Sequence, residues 1–138
     1  MNDSKGFTLS ELLLAFAILA FVLAGALSLF VTCIFLNEGS RNLGVATGHA
    51  QFILEDIKNT NFTSLKTGAI NSNTYWDWNS AAITSKGLAA LNTESINTHG
   101  AWADEIAKDR LEVIVTVTWK DRGLRDRSVY LETLVTQP

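Results

Sequence analysis

The stretch Lys5-Gly-Phe-Thr-Leu-Ser-Glu11 leads directly into an uncharged, largely apolar run that covers residues 12–36. A helix needs roughly 20 apolar residues to cross a bilayer, so this run is long enough to span one. Glu11 is the exception at its edge, because a carboxylate is costly to bury in lipid and needs a partner or a functional reason. The segment therefore predicts a membrane helix with one acidic group at its start.

The order of residues 6–11, Gly-Phe-Thr-Leu-Ser-Glu, resembles the class III signal of type IV pilins and pseudopilins. The resemblance implies that a prepilin peptidase, an aspartic peptidase of the inner membrane, cuts between Gly6 and Phe7. The same enzyme would then methylate the new amino terminus on Phe7. The resemblance further implies that Glu11 acts in subunit docking, by pairing with the cationic amino terminus of a neighbouring subunit's Phe7.

Two other interpretations of this segment remain as alternatives. An ordinary secretory signal would be cut after Ala26, but its apolar region is only about 7–15 residues long, and this run continues further. A plain single-span anchor would leave Glu11 without an explanation. We favour the pilin-type signal over both.

Beyond residue 36 the pattern becomes amphipathic, with apolar residues at spacings of three and four that predict one buried helical stripe. The stripe consists of Leu43, Ala46, Ala50, Ile53, Leu54 and Ile57. We therefore predict one helix over residues 7–59. The expected organisation is a leader at 1–6, a transmembrane or filament-core helix at 7–36, an amphipathic continuation at 37–60 and a globular part at 61–138.

The C-terminal part alternates between apolar and polar residues over 111–119 and again over 129–135, which predicts two strands. A polar turn with Gly123 joins them into an antiparallel hairpin at about 111–136. A hairpin alone is marginally stable in water, so it needs the helical stripe as a cover. The fold class expected is α+β, with a long N-terminal helix, transmembrane in its first half, packed on a small antiparallel sheet. The pilin resemblance implies the same architecture.

Residues 61–104 are harder to interpret, because small polar residues dominate and aromatic residues occur in isolated groups. We predict one short helix there, over residues 85–91. Asp77, Asp104 and Glu105 could bind a cation, but a solvated loop is the favoured interpretation. His49 is expected on the polar edge of the long helix, as a surface residue.

Nothing in the sequence assembles a catalytic site, a cofactor site or a metal site, so we predict that the chain is not an enzyme. The single cysteine, Cys33, lies inside the apolar run and cannot form an intrachain disulfide. Many major pilins close a C-terminal loop with a disulfide, so its absence favours a minor pilin. The C-terminal strands resemble those of PilV-type minor pilins most, and they are also similar to those of the minor pseudopilins of type II secretion.

The turn of the hairpin carries four basic residues beside Trp119, a combination that could bind nucleic acid. These residues are Lys120, Arg122, Arg125 and Arg127. Asp121 and Asp126 lie among them and reduce the local field. A solvated, self-paired turn is therefore favoured over a nucleic-acid site.

The resemblance predicts a minor prepilin, a structural subunit anchored in the bacterial inner membrane and then built into an extracellular pilus. Its expected partners are prepilin peptidase, other pilin subunits through the N-terminal helix, and the inner-membrane assembly platform. One alternative within the class is a minor pseudopilin of type II secretion, located in a periplasmic pseudopilus. An alternative of another class is a single-span, membrane-anchored binding module.

Overall fold

The structure is a computed structural model, and it describes residues 8–66, 70, 74–104, 108–123 and 125–136. The chain forms two compact units, Met1–Glu38 and Gly39–Pro138. Helix α1 (Leu9–Asn59) supplies the regular structure described for the first unit and also contributes to the second. The remaining elements all belong to the second unit.

Within the second unit, α1 buries one face, as the spacing of its apolar residues predicted. The buried residues are Ala46, His49, Ala50, Ile53, Leu54 and Ile57. Leu43, predicted at the start of this stripe, is instead 47% exposed. The last turn carries Lys58, whose charge is favourable beside the exposed carbonyls at a helix C-terminus.

A series of short elements follows the helix: α2 (Phe62–Lys66), a 3₁₀ turn (Thr74–Trp76), β1 (Trp78–Asn79) and α3 (Ser80–Ser85). Asn79 caps α3, because its side-chain oxygen accepts a hydrogen bond from the Ala82 amide at 2.9 Å. The prediction of a helix over residues 85–91 was wrong. The helix ends at Ser85, and the turn after it contains Gly87 at φ 77°, a conformation that suits glycine.

The sheet contains β1, β2 (Ser95–Trp102), β3 (Arg110–Lys120) and β4 (Asp126–Thr136), in that spatial order and with all neighbours antiparallel. The β3–β4 register runs without a bulge from the pair Arg110 and Thr136 to the pair Lys120 and Asp126. The predicted α+β fold, a long helix packed on a small antiparallel sheet, is thus confirmed. Strands β1 and β2 extend the sheet beyond the predicted hairpin.

The core lies between the buried face of α1 and the inner face of the sheet. Strand β3 supplies Leu111, Val113, Val115, Val117 and Trp119, all at most 5% exposed. The elements between α1 and β2 add further members to the cluster, among them Trp76, Trp78 and Ile83. In β4 the corresponding inner-face residues Val129, Leu131 and Val135 are only half-buried.

Candidate functional site

The amino-terminal segment starts its helix with a reciprocal capping arrangement between Thr8 and Glu11. The Glu11 amide donates to Oγ1 of Thr8 at 3.3 Å, and the Thr8 amide donates to Oε2 of Glu11 at 3.3 Å. The Thr8 hydroxyl donates to the same carboxylate oxygen at 3.2 Å. A threonine followed three residues later by a glutamate is the capping-box spacing, which satisfies amides that the first helical turn leaves unpaired.

We did not predict this capping box, although the spacing of Thr8 and Glu11 is a sequence signal for it. It gives Glu11 a role within its own subunit, at a position where the helix dipole also favours a negative charge. Both hydrogen bonds that the Glu11 carboxylate accepts from described residues engage Oε2. Oε1 makes no hydrogen bond to another described residue.

Gly6 and Phe7, the predicted cleavage and methylation positions, lie outside the described residues. The apolar helix that follows them is exposed at every described residue from 8 to 37. By length and composition, α1 is the one helix within the described residues that could cross a membrane. Cys33 is exposed on this helix as a free thiol.

The second unit contains a buried polar pair that the sequence did not indicate. Nδ1 of His49 lies 2.7 Å from Oε1 of Glu94, and the two side chains are 8% and 0% exposed. The other carboxylate oxygen of Glu94 accepts a hydrogen bond from the Leu91 amide at 2.7 Å. The prediction that His49 is a surface residue was therefore wrong. His49 connects α1 to the segment that precedes β2, and both partners are satisfied.

Two aspartates fix the connecting segment by structural contacts. Oδ1 of Asp77, in that segment, accepts from the Thr98 amide at 2.8 Å, and Oδ2 of Asp56, near the end of α1, accepts from the Trp76 indole at 2.8 Å. Glu105, one of the residues considered for cation binding, lies outside the described residues. Across the described ranges, no group of three or more His, Cys, Asp or Glu residues is placed to hold a metal ion.

The basic turn of the β3–β4 hairpin is held partly by its own acidic residue. Nε of Arg127 lies 3.7 Å from Oδ2 of Asp121, and the Asp121 amide donates to the Arg125 carbonyl at 3.0 Å. Trp119 is only 5% exposed, so its ring offers no stacking surface for a base. Of the four basic residues of the turn, Arg127 thus has an acidic partner within the turn itself.

Residues 1–27 match the family model described as the prokaryotic N-terminal methylation motif. No curated protein and no solved structure matches the chain. The motif implies processing by prepilin peptidase, and an apolar N-terminal helix is typical of a prepilin anchored in the inner membrane. Its methylation motif, class III signal and pilin-like α+β fold make the chain similar to type IV pilin and pseudopilin subunits, which are structural and non-enzymatic proteins.

Proposed function

We propose that the chain is a minor prepilin, a structural subunit of a type IV pilus-type filament. The observation that carries this proposal is the exposed apolar surface of α1 over residues 8–37, with one acidic group in its first turn. A helix that is apolar on every side needs lipid or apolar protein around it. The inner membrane would supply lipid before assembly, and sister helices would replace that lipid in the filament.

Processing would convert the membrane precursor into the subunit that assembles. Prepilin peptidase would remove residues 1–6 by cutting after Gly6 and would methylate the amino group of Phe7. The match of the methylation motif to residues 1–27 supports this step. The remaining chain would begin one residue before the Thr8 that caps α1.

Docking would use Glu11 and the amino terminus of Phe7 on a neighbouring subunit. The Glu11 carboxylate is exposed in the described unit, and Oε2 is already held by Thr8. Oε1 would accept a hydrogen bond from the cationic amine of the incoming subunit. Opposite charges that are buried together contribute net stability only when well matched, so this pair would select one register between helices.

Intact-mass analysis of the chain from cells that contain prepilin peptidase tests the proposal. We expect loss of residues 1–6 and the mass of one added methyl group on Phe7. Gly6→Val should block this processing, whereas Ala26→Val, which would block an ordinary signal peptidase, should leave it unchanged. A mature terminus at Leu27 would identify a secretory signal, and an intact chain in all variants would identify a plain anchor.

The location of the processed subunit distinguishes a pilus from type II secretion. A minor pilin should appear in filaments sheared from the cell surface and should co-purify with other pilin subunits. A pseudopilin should be absent from sheared filaments, and its deletion should stop secretion of exported proteins. The single cysteine favours the minor over the major subunit, because no disulfide can close a C-terminal loop.

A further inference from the structure

Strand β4 has an unpaired edge along its whole length within the described part of the chain. It is the last strand of the sheet, 11 residues long, and it pairs with β3 on one side. Such an edge presents a row of backbone donors and acceptors that another strand can pair with.

The ladder identifies which backbone groups face outward. The Asp121 amide donates to the Arg125 carbonyl at 3.0 Å, so these two residues form a hydrogen-bonded pair. Hydrogen-bonded and non-hydrogen-bonded pairs alternate along antiparallel strands, so the odd-numbered residues of β4 bond to β3. The even-numbered residues therefore direct their N–H and C=O groups to the free edge. Those within the strand interior are Ser128, Tyr130, Glu132 and Leu134.

The apolar layer is also incomplete at this edge. Val113, Val115 and Val117 of β3 are fully buried, at 0% exposed. Their partners across the ladder in β4 include Leu131 and Val129, which are only half-buried. The inner-face residues of β4 still pack against the core, but they are less completely covered than those of β3. An added strand with apolar side chains on that face would bury Val129, Leu131 and Val135 more fully.

The edge carries few of the features that usually prevent strand addition. Proteins protect edges with charges, prolines, bulges or very short strands. Between residues 128 and 136, Glu132 is the only charged residue, and proline does not occur. The β3–β4 register contains no bulge.

The charge that is present specifies the chemistry of a partner. Glu132 lies opposite Ile114, and Glu112 lies one ladder step away on the same outer face. A hydrogen bond to the Glu112 carboxyl and repulsion between the two charges raise the pKa of Glu132. A cation placed beside Glu132 would relieve this repulsion, because opposite charges on neighbouring strands attract.

We propose that the β4 edge binds an extended strand from a different protein chain, with apolar residues on its inner face and a lysine or arginine opposite Glu132. A second copy of β4 does not meet this requirement. The side chains that β4 presents on its outer face, at even positions 126–136, are Asp, Ser, Tyr, Glu, Leu and Thr, and none is a cation. The proposal goes beyond filament assembly and holds whether or not the chain enters a filament.

Synthetic peptides of about ten residues test the proposal on the full chain in detergent micelles. Both peptides alternate valine with threonine, and one central threonine is replaced by lysine in one peptide and by glutamate in the other. We expect the lysine peptide to bind about tenfold more tightly than the glutamate peptide. The variant Glu132→Lys should bind the glutamate peptide more tightly than the lysine peptide. Micelles without protein serve as the control for peptide binding to detergent. Equal binding of both peptides to both proteins would overturn the charge requirement and with it the proposal.

Amide hydrogen exchange on the same samples tests whether the peptide adds as a strand. Bound lysine peptide should slow exchange at Ser128, Tyr130, Glu132 and Leu134, while the odd-numbered amides are already slow without it. Ser128→Pro removes an outward amide and should abolish binding, whereas Ser128→Ala should bind as the wild type does. Peptide binding without slower exchange at the even positions would overturn the proposal. Slow exchange there in the absence of peptide, together with dimerisation of the chain, would show that a second copy occupies the edge and would also overturn it.

Discussion

Nδ1 of His49 and Oε1 of Glu94 lie 2.7 Å apart in the interior of the second unit, although 45 residues separate them in sequence. Glu94 also accepts from the Leu91 amide, and its own carbonyl accepts from the Ser80 hydroxyl at 2.9 Å. One buried residue thereby joins α1, the start of α3 and the segment that leads into β2. A buried polar group with all partners satisfied favours this one arrangement of the three segments over its alternatives.

Removal of the Glu94 carboxylate should strongly destabilise the second unit. Glu94→Ala leaves the His49 ring and the Leu91 amide without their acceptor, and each unsatisfied buried group costs about 1–3 kcal/mol. Glu94→Gln keeps an acceptor oxygen and should cost less. Denaturant unfolding of the full chain in detergent, followed by the fluorescence of the core tryptophans, measures the difference. The control Glu55→Ala alters an exposed residue of α1 and should hardly change the free energy of unfolding. If Glu94→Ala and Glu55→Ala changed it equally, the His49–Glu94 pair would have no role in stability.

Two glycine-to-alanine substitutions should change stability in opposite directions. A Cβ at Gly100 in β2 would lie 3.0 Å from Cγ2 and 3.3 Å from Cβ of the buried Ile70, so Gly100→Ala should destabilise by about 1–3 kcal/mol. A Cβ at Gly48 in α1 would meet no atom within 4 Å. Gly48→Ala should therefore stabilise by about 0.5–1 kcal/mol through helix propensity. Denaturant unfolding measures both, and two changes of the same sign would contradict this packing.

Glu112 should control the titration of Glu132. The hydrogen bond that the protonated Glu132 donates to the Glu112 carboxylate and the repulsion between the two charges raise the pKa of Glu132 above its ordinary value of 4.5. Because the folded state binds this proton more tightly than the unfolded state, the contribution to stability is fully present below about 4.5. It is lost as the pH rises through the folded-state pKa. In the variant Glu112→Gln, NMR titration should give a lower pKa for Glu132 than in the wild type. The control Glu55→Gln should leave the pKa of Glu132 unchanged. An unchanged pKa of Glu132 in Glu112→Gln would contradict the pairing of the two carboxyl groups.

The parts of the fold that the sequence predicted are those with a regular apolar period. The stripe from Ala46 to Ile57 repeats every three or four residues, and β3 alternates from Leu111 to Trp119. Strand β2 escaped prediction because its inner face contains Thr98 and Gly100 as well as Ile96. Gly100 is there because Ile70 packs directly against its backbone, a tertiary contact that no local pattern reveals.

Polar contacts could likewise be predicted from the sequence only where the two partners lie close together in the chain. The Thr8–Glu11 capping box involves residues three apart, so its spacing could have been recognised. His49 was assigned to the surface because histidine is polar, and its partner Glu94 lies in a segment without a clear period. Such a pair becomes visible only when the tertiary fold brings the two residues together.

Substitutions at Thr8 and Glu11 should separate helix capping from subunit docking. Glu11→Gln retains a side chain that suits a capping box but removes the charge, so the helix, membrane insertion and cleavage after Gly6 should persist. Incorporation into filaments should fall, because the amine of an incoming Phe7 would then be buried without a counter-charge. Leaving such a pair unmatched costs about 3–5 kcal/mol, or more than about a hundredfold in a docking equilibrium.

Thr8→Ala is the matched control, because it removes the capping hydroxyl and keeps the carboxylate. It should loosen the first helical turn by about 1 kcal/mol but leave incorporation close to that of the wild type. The measurement is the amount of subunit in sheared filaments relative to the processed pool in the membrane. If Glu11→Gln assembled like the wild type and Thr8→Ala did not, the contribution of Glu11 would be capping of its own helix. The charged contact with a neighbouring Phe7 would then have no part in assembly.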